Sequence, residues 1–86
     1  MSFIKKSFIK MICKFFGWGI DFNEKDMVLK FTAISPKPNY DALESILTKV
    51  VASLKESGIY IKDKHFENNN CTLVLTFEKM TVTFSD

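Results

Sequence analysis

Between residues 2 and 16 apolar side chains recur at helical spacing. At about 100° per residue Ile4, Phe8, Met11, Ile12 and Phe15 share one face, with Ile9 and Phe16 on its flank. Lys6, Lys10 and Lys14 fall on the opposite side, and Lys5 lies near the flank, where its stem can snorkel. Ser2 stands where an N-cap belongs, and Gly17 where a left-handed residue ends a helix. The period then changes to two. Trp18, Ile20 and Phe22 form one apolar row, and Met27, Leu29, Phe31 and Ala33 form another. The polar turn Asn23-Glu24-Lys25-Asp26 between them predicts a β-hairpin with Phe22 opposite Met27.

Pro36 and Pro38 end the sheet pattern. Asn39 or Asp41 can cap the next helix, in which Leu43, Ile46, Leu47, Val50, Val51 and Leu54 recur at helical spacing and which Gly58 closes. A strand follows from Ile59 to Phe66, its alternation broken in a way that a bulge near Asp63 would explain. Asn68-Asn69-Asn70 reads as a loop. Cys71, Leu73, Leu75 and Phe77 point one way; the phase flips at Glu78-Lys79, and Met80, Val82 and Phe84 continue the apolar row in a last strand.

The order α-β-β-α-β-β-β predicts an α+β fold: a two-layer sandwich of a mainly antiparallel sheet with two helices on one face. At 86 residues this is a single domain, residues 1–86, with residues 1–16 a basic amphipathic helix that either covers the sheet or stands at its periphery. A hydrophobic share of 47% can build its core and excludes wholesale disorder. The apolar run near the N-terminus is interrupted by lysines, so neither a secretion signal nor a membrane span is expected, and a cytoplasmic location is. Cys13 and Cys71 read as buried, reduced thiols.

Candidate chemistry is sparse. His65 with two distant cysteines does not make a zinc site, and alternation sends His65 and Cys71 to opposite faces, against a nucleophilic pair. The sequence has no glycine-rich phosphate loop and no complete calcium loop. No cofactor, metal or catalytic role is therefore expected.

Charge is the asymmetric feature. Residues 1–16 carry four lysines and no acid, while the remainder carries eight lysines against ten acids. A basic helix on a slightly acidic body points to an anionic partner. The first expectation is a small non-catalytic protein that binds another protein, in the manner of an adaptor, an immunity-type protein or an inhibitor encoded by a phage or mobile element. Its candidate contacts are Lys5, Lys6, Lys10 and Lys14 on the helix. A weaker second surface is the outer sheet face, Val28, Lys30, Thr32, Val74 and Thr76, through which a homodimer could also form. The alternative is a peripheral membrane protein held on anionic lipid by the same helix. Nucleic acid ranks last, because all twelve basic residues are lysines and the guanidinium fork of base readout is absent.

Overall fold

The computed structural model describes residues 4–56, 58–78 and 84–85. Its elements run β1 (Ile4–Lys5), α1 (Lys6–Phe15), β2 (Trp18–Asn23), β3 (Val28–Ala33), α2 (Tyr40–Glu56), β4 (Ile61–Glu67), β5 (Thr72–Phe77) and β6 (Phe84–Ser85). Strands β2, β3, β5 and β4 lie side by side in that order in an antiparallel sheet, so β3 and β5 are central and β2 and β4 are edges. Both helices contribute to one core cluster with the inward row of this sheet, as the α+β pattern predicts. The cluster is built from Ile9 and Cys13 of α1, Leu43, Leu47, Val50 and Leu54 of α2, Ile59 just before β4, and Trp18, Leu29, Phe31, Leu73, Leu75 and Phe77 of the sheet.

The chain enters α1 differently from the expectation. Ile4–Lys5 is extended and pairs in parallel with Phe84–Ser85, so the helix begins at Lys6 rather than at residue 2. The predicted hairpin at Glu78-Lys79 and the strand from Met80 lie outside the described residues up to Phe84. In the first hairpin the two apolar rows do face each other, but Phe22 pairs with Leu29 and not with Met27. The ladder runs on to Asn23–Val28, and Met27 sits in the turn with a φ of 59°. Asn23 stabilises that turn: its side chain accepts from the Asp26 N–H at 3.0 Å and donates to the Asp26 carboxylate at 2.9 Å.

The second hairpin shows why three asparagines stand together. Asn68, Asn69 and Asn70 all adopt positive φ, 50°, 54° and 64°. Asparagine enters the left-handed region more readily than other residues bearing a Cβ. The turn closes with the Cys71 N–H donating to the Asn68 carbonyl. Cys71 belongs to this turn and is exposed, which corrects the expectation of a buried thiol; Cys13 is buried as expected. The irregular alternation of β4 is a register shift between Ile61 and Asp63, the bulge the sequence suggested.

One junction joins the layers. Asn39 caps α2, its side chain accepting from the Ala42 N–H at 2.9 Å. Its backbone N–H donates to the Phe16 carbonyl, and its carbonyl accepts from the Leu43 N–H and from the indole of fully buried Trp18 at 3.1 Å. Gly17, between Phe16 and Trp18, holds a φ of +87°, and its carbonyl accepts from the Ile34 N–H. A Cβ at Gly17 would lie 3.0 Å from the Ser35 Cβ and 3.5 Å from the Pro38 Cα. Gly58 also has positive φ, but a Cβ there would meet nothing within 4 Å. Gly17→Ala is thus expected to cost more than Gly58→Ala: both carry the left-handed strain of about 1–3 kcal/mol, and only Gly17 adds a steric clash. Urea unfolding of the two variants measures this, and an equal or smaller loss at Gly17 would contradict the crowded junction.

Candidate interaction surface

Helix α1 carries a wider apolar arc than the sheet can cover. Ile9 and Cys13, one turn apart, face the core with Phe16 packed at its margin. Phe8, Met11 and Phe15, expected to cover the sheet, instead remain 57%, 62% and 82% exposed. The correction amounts to a rotation of the helix. The small thiol of Cys13 fits against the sheet, whereas Phe8 or Phe15 in its place would hold the helix away. Burial pushes the Cys13 thiol up to about 11, so it stays protonated and unreactive in the folded state.

Of these three exposed residues, Phe8 borders a groove between the helices. Phe8 and Ile12 of α1, with Phe16 just past its end, form one wall and Ala42, Ile46 and Val50 of α2 the other, enclosing about 590 Å³. Asn39 lies at the Phe16 end of this groove, so the junction that joins the layers also sets its width there. The polar rim includes Asp41 and Lys49.

The four helix lysines do not form one uniform set. Lys5, Lys10 and Lys14 are exposed. Lys6 is only partly exposed: its ammonium lies 3.2 Å from the Glu24 carboxylate and 5.8 Å above the Phe22 ring. It stands at the start of α1, where the helix dipole is unfavourable to a cation, and Glu24 offsets that repulsion. Lys6 therefore ties α1 to the first hairpin, a correction to its reading as part of a free cationic face. Lys14, in the last turn, has the favourable dipole position.

On the outer sheet face Lys30 and Thr32 are exposed, and Val28 and Thr76 are half-buried. Val74 is only 7% exposed, contrary to its reading as a surface contact. The register places it between Lys30 and His65, whose longer side chains flank it on either side. His65 itself is held between two carboxylates of its own strand, Nδ1 to Asp63 at 2.6 Å and Nε2 to Glu67 at 3.0 Å. Both ring nitrogens can donate only in the imidazolium form, so the hydrogen bond to Glu67, then that to Asp63, raise its pKa above the ordinary 6.5. An imidazole held this way has no free nitrogen to act as a base.

Sequence reasoning found the basic helix but missed the groove, because alternation and helical spacing do not show how two helices sit side by side. The available signal was Cys13: free cysteine is among the most buried residue types, and it shares a stripe with Ile9. Comparison with protein-family models, with curated proteins and with solved structures gives no match.

Because the folded-state pKa of His65 is raised, its stabilising contribution is present below pH 6.5 and is lost as pH rises through the folded value. Melting temperatures of the native chain and His65→Gln between about pH 6 and about pH 8 should therefore converge as pH rises. A difference independent of pH would contradict the two-carboxylate clasp.

Proposed function

We propose that this chain is a small non-catalytic binding protein that engages another protein through α1 and the groove between α1 and α2. The observation that carries this reading is the exposure of Phe8, Met11 and Phe15 on a helix already anchored to the core by Ile9 and Cys13. Large aromatic and methionine side chains that α1 does not need for its own packing are the residue types that dominate protein interfaces. The groove beside Phe8 has the volume and apolar lining of a recognition site. A non-catalytic role accords with the two groups best suited to chemistry: the Cys13 thiol is buried and protonated, and both nitrogens of His65 are engaged. An exposed free thiol at Cys71 accords with a reducing, cytoplasmic setting.

A second reading has its own observation. Lys5, Lys10 and Lys14 are exposed, as are the apolar Phe8, Met11 and Phe15, and α1 has no acid, an arrangement that suits an anionic bilayer surface. Among the described residues no helix is long and apolar enough to cross a membrane, so such attachment would be peripheral.

A photo-crosslinking residue at Met11 distinguishes the two. In lysate of the native host it should yield one discrete protein adduct, competed by excess unlabelled chain. Phe8→Glu/Phe15→Glu should reduce that adduct tenfold or more, as loss of central interface anchors does, with little change in melting temperature. Adducts to lipid alone would favour the bilayer, and the absence of any specific adduct would overturn both readings.

A further inference from the structure

We infer that the outer edge of β4 pairs antiparallel with the same edge of a second copy of this chain, Lys64 of each copy lying against the Phe66 and Tyr40 rings of the other. This surface is separate from α1 and its groove and does not depend on what α1 binds.

The first support is the direction of the main-chain groups. The Ala33 N–H donates to the Cys71 carbonyl, and the Phe77 N–H to the Met27 carbonyl. Leu73 and Leu75 of β5 therefore turn their N–H and C=O groups to β3, and Thr72, Val74 and Thr76 turn theirs to β4. Their partners there are Glu67, His65 and Asp63. Alternation then sends the N–H and C=O of Lys64 and Phe66 outward, and among the described residues no strand pairs with that edge. Every residue from Lys62 to Glu67 is exposed, so both faces of the edge are open.

The second is register. About a two-fold axis, Lys64 opposite itself would set Phe66 against the partner's bulged segment between Ile61 and Asp63. Phe66 opposite itself would set Lys64 against the partner's Asn68, whose φ is 50°. Lys64 opposite the partner's Phe66 uses only regular strand and satisfies the outward N–H and C=O of both residues.

The third is what lies across that register. Phe66 and Tyr40 line a shallow cleft of about 410 Å³ with Asn69 and Asn70. The two rings, 38% and 43% exposed, stand 6.5 Å apart. Lys64 and Phe66 share the inward face of β4, so the register sets the partner's Lys64 beside this cleft, where aromatic faces suit an ammonium. A lysine on a sheet edge ordinarily guards it against pairing. Here pairing gives the lysine a seat, and the Glu44 contact it leaves, at 3.6 Å and exposed on both sides, contributes little. On the outer face His65 meets the partner's His65, and Asp63 meets the partner's Glu67. Toward them β5 presents only Thr72, Val74 and Thr76, with Lys30 beyond Val74. The gathered carboxylates are offset only while both imidazoles are charged, so association weakens as pH rises.

Sedimentation equilibrium of the full chain from about 10 µM to about 1 mM tests this. At about pH 6 a reversible monomer–dimer equilibrium is expected, weakened about tenfold at about pH 8. Hydrogen exchange of the native chain is the second readout. The Lys64 and Phe66 amides should be protected at high concentration and exchange freely on dilution, while the His65 amide, turned to β5, stays protected throughout. Lys64→Pro removes only an outward N–H, which an edge strand tolerates, and should give a folded monomer. Phe66→Ala should weaken association at least tenfold. Phe8→Glu/Phe15→Glu should dimerise as the native chain does. A monomer throughout, equal association at the two pH values, or amide protection at Lys64 and Phe66 that ignores concentration would overturn the inference. So would a dimer that survives Lys64→Pro or is lost in Phe8→Glu/Phe15→Glu.

Discussion

The hydrogen bond from the buried Trp18 indole to the Asn39 carbonyl fixes how the two layers of this protein meet. Asn39 is the cap of α2, and its N–H simultaneously reaches the last residues of the α1 segment at Phe16. One residue thus ties the end of α1, the start of β2 and the start of α2. The left-handed Gly17 makes this possible, because it lets the chain reverse between Phe16 and Trp18 where a Cβ would collide with Ser35. Tyr40, next along α2, extends the junction: it meets Trp18 edge to face and donates its hydroxyl hydrogen to the Asn70 carbonyl in the far hairpin. The relation of α1 to α2 at this end follows from these bonds, and with it the groove between them.

Anchoring α1 by a narrow stripe has a second consequence. Ile9 and Cys13 hold the helix, Lys6 clips its start to Glu24, and the rest of the apolar arc is left over. In a small domain, where apolar area is scarce, leaving Phe8, Met11 and Phe15 in water forgoes core burial at several positions. That expenditure is intelligible if those side chains are buried in a complex.

The element order from α1 to β5, the rows of the first hairpin, the α2 core stripe and the bulge in β4 were legible in the sequence, because each depends on local periodicity. What was not legible depended on tertiary choices. The helical arc from Met11 to Cys13 was too wide to show which part would face the sheet. The first hairpin slid by two residues because Asn23 and Asp26 build their own turn chemistry, moving Met27 out of the ladder. Cys71 followed the alternation of β5 yet lies past the last sheet pair, in a turn set by three left-handed asparagines. Lys6 looked like part of a solvated face until Glu24, eighteen residues on, came beside it.

The central claim is that α1 is docked on the sheet by its Cys13 stripe and so presents the opposite part of its arc. Thiol labelling tests it directly, since the two cysteines sit in contrasting environments. In native buffer Cys71 should react at once, while Cys13 in a Cys71→Ser chain should react only on unfolding. Rapid native labelling of Cys13, at the rate of an unfolded chain, would show that α1 is not docked and would contradict the account.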